Sequence, residues 1–436
     1  MRDVVLAAAL AAALGLALRY PFVGVLTWAW FTLMTPHQLA YGVYGVPINL
    51  VIAAVTIGSL IVNGGFRNAR IDATTILMLT FAAWLTIAQV ASLDGAASAE
   101  FYDRFIKTIA FAVVVLQATS TRLRLHAVLW TIVIALGFFA VKGALFTLAT
   151  LGAYRVQGLE TTILEDNNHM GIVLATSLPL ILYLRGRCAG ELARLGLAAL
   201  FGLTIIAIIG THSRGAFLSL VAFCGFYWLQ SRHKAVIAVA LLALTAPAIA
   251  FMPAKWSERM TTITTAGEDA SFMGRVDAWI VNAKLAQANP LTGAGLRNSY
   301  QPEIAARVDA RRAPHAKAAH SIYFEILGGA GVVGLAIYLS LFATAFLTAG
   351  SLAQGALTAG ASWRADLGHY LRLSLAVFCI GGASVSLEMW DGYWLVIALI
   401  AAAARMPQGA PDIATPAGRP ARGPRWRAGA RGKAPA

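Results

Sequence analysis

Charged side chains are scarce in this sequence, since Asp, Glu, Lys and Arg together make up only 12% of its 436 residues. A soluble globular chain carries about twice that charged fraction, so a set of soluble domains is excluded. Hydrophobic residues make up 58% of the chain, and the mean hydropathy is +0.69. The apolar residues form continuous runs and not the short alternating strands of an outer-membrane barrel. We therefore predict an all-α, polytopic transmembrane protein.

Cysteine is rare, and the common catalytic motifs are missing. The three cysteines, Cys188, Cys224 and Cys379, are scattered along the chain, so we expect neither a disulfide framework nor a metal cluster. The sequence has no HExxH, no P-loop, no GxSxG and no DxD-like acidic pair in an outward loop. Metal-assisted transfer chemistry therefore has no visible ligand set, and we expect no metal and no cofactor.

Apolar runs that are long enough, or nearly so, to cross a membrane as helices occur along almost the whole chain. The first two are short and meet at residues 19–21, where they form either two short spans or one broken helix. We therefore predict about 12 spans (12–13) from these runs. The runs are 4–18, 22–34, 47–62, 73–91, 105–118, 127–149, 170–184, 195–209, 215–229, 235–251, 321–347, 370–387 and 391–404.

The short loops predict an orientation, because Lys and Arg collect on the cytoplasmic side. Basic loops alternate along the chain with loops that are mixed, acidic or long. This places the basic loops and the C-terminus in the cytoplasm and turns the others outward, which means the periplasm in a two-membrane bacterium. Before residue 63 the signal is weak. The basic loops are 63–72, 119–126, 185–194 and 230–234, and the others are 92–104, 150–169, 210–214 and 252–320.

These predictions divide the chain into four parts. Residues 1–251 form N-terminal transmembrane helices, and 252–320 form a long periplasmic loop that contains short helices and catalytic residues. Residues 321–404 form C-terminal transmembrane helices, and 405–436 form a basic, Pro- and Gly-rich tail. The tail carries +6 of the net charge of +14. We interpret it as a disordered cytoplasmic anchor on anionic lipid and not as a nucleic-acid binding segment.

Three basic side chains on the outward side are the candidate catalytic residues. Arg214 lies in a connection of about five residues between two spans, so it is held at the edge of the hydrocarbon layer, where its planar fork suits a phosphate. Arg275 opens a predicted helix at 273–288, and a cation at a helix N-terminus favours an anion. His320 lies where the long loop re-enters the membrane and has the ordinary pKa of a general base.

Each of these residues also has an ordinary structural interpretation. Arg214 is equally consistent with a lone interfacial arginine, and Arg275 with a surface pair to Asp277 or Glu268. His320 could cap or anchor its span, and other outward histidines compete with it as the base. The competing histidines are His37, His169, His212 and His315.

Polar residues at the outward mouths of the spans are candidate substrate-binding residues. Those at 155–169 are dense enough to bind sugar hydroxyls, although Asn168 is equally a good cap for the helix that follows. Glu325 lies one turn into its span, where a buried carboxylate needs a partner. The candidates are Arg155, Asn167, Asn168, His212, Ser213, Arg297, Tyr323 and Glu325.

The order of these motifs resembles the O-antigen ligase and polymerase superfamily of bacterial inner membranes. The resemblance covers most of the chain except the tail and departs from the family pattern at Ser321 and Gly329. The residues that carry it are Ser213-Arg214-Gly215, Arg275 with Trp279, Asn289-Pro290-Leu291 with Gly293 and Gly295, and His320 with Tyr323. Residues 19–22, 28–30, 36–37 and 165–168 are more specifically similar to a branch of O-glycosylation ligases.

The resemblance implies a metal-independent, inverting glycosyltransferase that transfers a glycan from undecaprenyl pyrophosphate to a lipid A-core hydroxyl in lipopolysaccharide biosynthesis. Arg214 and Arg275 would bind the donor pyrophosphate. His320 would activate the acceptor hydroxyl as a base or instead help to orient the pyrophosphate. The partners implied are this lipid-linked donor, the acceptor and the bilayer, with no nucleic acid.

Other acceptors and one other class of function stay open. A protein hydroxyl or a growing polysaccharide would use the same chemistry, as in an O-oligosaccharyltransferase or an O-antigen polymerase. A transporter or lipid flippase would instead place ionisable residues near the middle of its spans and show inverted repeats. In this sequence the ionisable residues collect at the outward edge, and no internal repeat is visible.

Overall fold

The structure, a computed structural model, describes residues 2–40, 46–67, 69–231, 234–250, 270–358 and 362–406. Within these ranges the regular elements are helices, and no strand occurs. The predicted all-α class is therefore confirmed for the described residues. The helices are α1 Arg2–Arg19, α2 Pro21–Met34, α3 Ile48–Val62, α4 Ala73–Val90, α5 Gly95–Ala118, α6 Arg122–Ala149, α7 Asn167–Arg187, α8 Glu191–Gly210, α9 Arg214–Gln230, α10 Lys234–Ala250, α11 Ala270–Ala288, α12 Pro302–Ala306, α13 Ile322–Thr358, α14 Ser362–Gly382 and α15 Asp391–Arg405.

Helix length and hydropathy mark this chain as a membrane protein. Among the described residues, five helices are long and apolar enough to cross a bilayer: α4, α6, α7, α8 and the Ile322–Gln354 part of α13. Shorter apolar helices include α2, α3 and α9. Helices α1 and α2 pack against each other, so the two short N-terminal runs form two helices and not one broken helix. The full count of about 12 spans stays a prediction.

The core lies around α7, α14 and α15, which are surrounded by the other helices. Helix α15 is buried at every residue from Asp391 to Ala403, whereas α1 buries only Ala17. A helix that is apolar and buried all round belongs to the interior, and one exposed all round suits contact with lipid. The tail beyond residue 406 and the segment 251–269 lie outside the described residues, so the predictions for them are not addressed by the fold.

The predicted basic loops lie together at one end of the helices, which we call the basic face (residues 63–72, 119–121, 188–190 and 406). Arg405, at the end of α15, donates to Asp72 at 2.7 Å and to the Gln117 side chain at 2.8 Å. Arg364 donates to the carbonyl of Met406 at 2.6 Å. These contacts join the ends of four helices that are far apart in sequence.

The remaining loops meet at the opposite end, which we call the site face (residues 91–94, 150–166, 211–213, 289–321 and 383–390). The Leu93 amide donates to the Ala294 carbonyl at 2.9 Å, and the Val156 amide donates to the Gly210 carbonyl at 2.9 Å. The long loop after α11 therefore folds down onto the ends of the membrane helices.

Helix α13 is interrupted at Gly331, which has φ 72° and ψ −173°. The interruption frees carbonyl groups that a continuous helix would use, and the 290–295 segment and Trp84 satisfy them. Ala294 N–H donates to Gly328 at 2.8 Å, Gly295 N–H donates to Gly329 at 3.1 Å, and Trp84 Nε1 donates to Ala330 at 2.9 Å. The predicted single run at 321–347 is thus a broken helix locked to the site-face loop.

Replacing Gly331 with Ala is expected to destabilise the protein. Its backbone conformation is essentially restricted to glycine, so strain alone costs about 1–3 kcal/mol. A Cβ there would also lie 2.1 Å from the Leu291 carbonyl oxygen. The matched control is Gly196→Ala in α8, where a Cβ meets nothing within 4 Å. Thermal unfolding in detergent should show a lower midpoint for Gly331→Ala only, and equal midpoints would contradict this account of the break.

Two predictions for the site-face loops were wrong. The charged segment 303–317 is predicted from the sequence to be helical and exposed, but it is α-helical only in α12, with one 3-10 turn at Ala313–His315. Between them the buried Asp309 accepts from the amides of Arg311 and Arg312, so these amides do not continue the helix. The segment 92–104 is mostly helix, since α5 begins at Gly95 after a cap by Asp94.

Candidate active site

Helix α11 carries Arg275 in its interior and not at its N-terminus. The helix already includes Ala270, so the prediction that Arg275 opens it was wrong. Asp277, one of the two acids suggested as its surface partner, instead pairs with Arg312 at 2.8 Å. Arg275 itself is half-buried. Arg275 therefore lies beyond the first turn of α11, where a helix dipole would act most strongly.

A tryptophan contact brings α11 against the segment that carries His320. Trp279 Nε1 donates to the Ala319 carbonyl at 2.7 Å, and its ring stacks on Phe324 with centroids 5.3 Å apart. Arg275 precedes Trp279 by one helical turn, so it lies on the same side of α11. The helix and the start of α13 thus bring Arg275 and His320 into electrostatic contact.

His320 is held in a strained conformation and an electropositive environment. Its φ is +46°, and its Nδ1 atom is buried with no hydrogen-bond partner among the residues that the structure describes. Burial, together with the charge of Arg275 and then of His169, lowers the pKa of His320 to about 4, against an opposing effect of Asp166. The imidazole is therefore neutral at pH 7, with one nitrogen able to accept a proton.

The N-terminus of α7 supplies the acid in this cluster. Asp166 caps the helix by accepting from the amides of Asn168, at 2.8 Å, and His169, at 3.2 Å. The alternative that Asn168 is the cap was therefore wrong. Burial raises the pKa of Asp166, but His169 and the hydrogen bonds from Asn168 outweigh it, and the net pKa lies below its ordinary value. Asn167 is buried and donates to the Thr211 carbonyl at 2.7 Å.

The N-terminus of α9 lies beside that of α7. Ser213 caps α9 by accepting from the Ala216 amide at 3.2 Å, and the preceding His212 is buried with φ +54°. Arg214 is the first residue of the helix and is half-buried. The helices α7, α9 and α13 all begin at this face, and each N-terminus favours an anion within its first turn.

The loop 383–390, which lies between α14 and α15 in the chain, contacts both α9 and the start of α13. Gly215 lies against Ser384, so close that a Cβ at residue 215 would come within 2.1 Å of the Ser384 hydroxyl. Two residues later, Ser386 donates to Glu325 at 2.6 Å. Arg214 is thus placed on the same face as Arg275 and His320. That the three meet around one diphosphate stays a prediction.

A buried acid–base network lies next to this cluster. Arg297, with φ +58°, donates to Glu388 at 3.3 Å and lies over the Phe101 ring, 4.4 Å from its centroid. Glu325 accepts from Tyr300 at 2.8 Å as well as from Ser386. Burial raises the pKa of Glu388, although Arg297 opposes this shift. Glu325 and Arg297 are therefore committed to the network, and their predicted contact with substrate is untested.

Two other predicted binding residues are placed differently. Arg155 is exposed on the site face, next to the Val156 amide that binds Gly210. Tyr323 donates its hydroxyl to the Cys379 carbonyl at 2.9 Å, so it braces α13 against α14. Arg155 remains available to a ligand, whereas Tyr323 already has a structural partner.

Sequence reasoning did not find Glu388, Ser386 or the contribution of Asp166. Glu388 and Ser386 lie in a short loop more than sixty residues beyond His320, and only folding brings them close. A usable signal existed, because an acid within a strongly apolar stretch such as that around Glu388 is itself a reason to suspect a site.

Two family models match the chain. A family model described as O-antigen ligase matches residues 199–339, which include Arg214, Arg275 and His320. This match over 199–339 supports the O-antigen ligase-like superfamily for the chain. A second model, a family of unknown function (DUF5935), matches residues 1–188. No curated protein matches the chain.

The family match also supports a broad activity. Members of the matched family are glycosyltransferase-like ligases and polymerases, which supports a membrane-bound enzyme of that broad kind. Such a domain suggests that the protein lies in a lipid bilayer and acts on lipid-linked glycans. The matched region begins in α8 and ends within α13.

Proposed function

We propose that this protein is an O-antigen ligase that transfers a glycan from undecaprenyl pyrophosphate to a hydroxyl of the lipid A core. The observation that carries the proposal is the electrostatic coupling of Arg275 to His320, which the contact between α11 and Ala319 produces on the site face. A cation and a neutral base in one environment are what glycosyl transfer from a diphosphate requires.

The cations act on the leaving group. Breaking the bond between the anomeric carbon and the phosphate oxygen leaves added negative charge on the diphosphate, which Arg275 and Arg214 stabilise as it develops. One such preorganised donor is typically worth about 3 kcal/mol in the transition state. The acceptor oxygen attacks from the face opposite the leaving group, so the configuration at the anomeric carbon inverts.

The imidazole acts on the acceptor. In the free protein Arg275 disfavours the protonated form of His320. A bound diphosphate offsets that positive field, so His320 becomes a stronger base when the donor is present. It then takes the proton of the acceptor hydroxyl as the new glycosidic bond forms. This coupling favours transfer to the acceptor only after the donor has bound.

The proposed location follows from the charges of the two faces. The basic face carries the arginine-rich loops and faces the cytoplasm by the positive-inside rule, so the site face opens to the periplasm and the C-terminus is cytoplasmic. The polyprenyl chain lies among the membrane helices, and the loop between α11 and α13 covers the diphosphate and limits its hydrolysis by water.

Purified protein with a defined polyprenyl-diphosphate glycan tests the proposal. Three acceptors are supplied in parallel: lipid A-core, a hydroxyl-bearing protein, and a second lipid-linked glycan. Transfer to lipid A-core alone is expected, and transfer only to one of the others would replace the ligase with an O-oligosaccharyltransferase or a polymerase. Because arginines supply the positive charge, activity is expected to persist in EDTA, and loss on chelation would contradict this mechanism.

A further inference from the structure

Ala319, the residue before His320, has both of its backbone polar groups bound by side chains from other elements. Its amide donates to Glu325 Oε1 at 2.9 Å, and its carbonyl accepts from Trp279 Nε1 at 2.7 Å. Ala319 is fully buried. The next residue, His320, has the positive φ that costs a non-glycine residue about 1–3 kcal/mol. Such a conformation persists only where neighbouring contacts impose it.

Trp279 ties this segment to the helix that carries Arg275. Its indole ring stacks nearly parallel on Phe324, with an interplanar angle of 7°, so the spacing between α11 and the start of α13 is set by two packed rings. The indole N–H then fixes the Ala319 carbonyl relative to the same ring. A single side chain therefore sets the position of His320 with respect to a guanidinium one turn away.

Glu325 ties the same segment to the rest of the site face. Its Oε1 atom accepts three hydrogen bonds, from the Ala319 amide, from Tyr300 at 2.8 Å and from Ser386 at 2.6 Å. These donors belong to three different segments of the chain. The carboxylate is buried, with 3% exposure, so it binds its partners without competition from water.

We infer that Trp279 and Glu325 are positioning residues that clamp Ala319 and thereby fix the His320 imidazole for proton transfer beside Arg275. This inference rests on the proposed function, in which His320 accepts the proton of the acceptor hydroxyl. In this role each side chain acts through the backbone of Ala319. Loss of either hydrogen bond would let His320 relax from its strained conformation, and a displacement of about 1 Å in a reacting group can cost 10²-fold in rate.

The test compares the same substitution, Trp to Phe, at two tryptophans that bind carbonyl groups at or near α13. Trp279→Phe keeps an aromatic ring against Phe324 but removes the N–H that binds Ala319. Trp84→Phe removes an equivalent bond, from Nε1 to the Ala330 carbonyl at 2.9 Å, at the break in α13. Trp279→Phe is expected to lower kcat about 10- to 100-fold with little change in KM. Trp84→Phe should keep at least half of the wild-type kcat.

Hydrogen–deuterium exchange measures the clamp without any substrate. Trp279→Phe should speed exchange in peptides that cover 316–321, and Trp84→Phe should speed it only near the α13 break. Equal kcat losses in the two variants, or unchanged exchange at 316–321 in Trp279→Phe, would overturn the inference. An inactive wild-type protein would contradict the proposed function instead, while the exchange result would still decide whether the clamp exists.

Glu325 provides a second variant pair in case Trp279→Phe does not fold. Glu325→Gln retains an oxygen that can accept from the Ala319 amide, whereas Glu325→Ala removes every acceptor. The expected order of kcat is wild type, then Gln, then Ala, with the Gln variant recovering at least tenfold over Ala. Equal activity of Gln and Ala variants at matched folded protein would contradict a positioning role for this hydrogen bond.

Discussion

Replacing His320 with Ala is expected to lower glycan transfer by about 10²- to 10⁴-fold, the range typical for loss of a general base. The imidazole is neutral at pH 7, its Nδ1 atom has no partner among the described residues, and Arg275 lies within electrostatic range. No other base is positioned by the Ala319 contacts. The measurement is the rate of glycan transfer to lipid A-core by purified variants at equal concentrations of folded protein.

The matched control for that variant is His315→Ala. His315 lies in the same loop, five residues earlier, but is exposed and is not part of the cluster. Its removal should leave transfer within about twofold, since surface substitutions are usually small in effect. If His320→Ala retains more than a tenth of the wild-type rate, the base is another residue, and His169 is then the first candidate because it is the histidine that is electrostatically coupled to His320.

Replacing Arg275 with Ala is expected to lower kcat about 10²- to 10³-fold, as for loss of one preorganised donor to a developing anion. Arg275→Lys restores the charge but not the two-pronged fork that fits a phosphate, so it should recover only part of the loss. The control is Arg311→Ala, an exposed arginine of the same loop. The affinity for the donor, measured with a non-transferable diphosphate, should fall by a smaller factor than kcat.

The same variant makes a prediction about pH. In the wild-type protein the pKa of His320 is about 4, so kcat/KM should be lost only as the pH falls through about 4, where the imidazole becomes protonated. Removing Arg275 removes a cation that lowers this pKa, so the acid limb should move to higher pH. Asp166 favours the protonated form and His169 and Lys317 oppose it, and none of these changes in the variant. An unmoved acid limb would show that the limb reports another group.

Sequence reasoning reached the class of the fold and part of the site for physical reasons. Apolar runs predict helices because a membrane leaves the backbone no other partner than itself. The end of α11 was predicted correctly, since the helix stops at Ala288 before Asn289-Pro290. The predicted helix start, however, was too late in the chain. Arg275 was therefore predicted to lie at the helix N-terminus, whereas it lies in the helix interior.

Local patterns failed where a nearby side chain competes with the helix for backbone amides. The amides of Arg311 and Arg312 bind the Asp309 carboxylate, so the predicted helix at 303–317 is not continuous. The cap of α7 is Asp166, and both candidates, Asp166 and Asn168, are good capping residues by type. A pattern that ranks residues by propensity cannot distinguish two good capping candidates that lie two positions apart.

What the amino-acid sequence determined by itself is the membrane-embedded helical class, the alternation of its loops and the residue types able to handle a diphosphate. These follow from composition and spacing, which act locally along the chain. Only the tertiary structure decided which of those residues share an environment. The Trp279–Ala319 and Ser386–Glu325 hydrogen bonds join segments 40 and 61 residues apart, and packing alone creates such contacts. The strain at His320 and the burial that makes it neutral depend on the same packing, because both need neighbours that the local sequence does not supply.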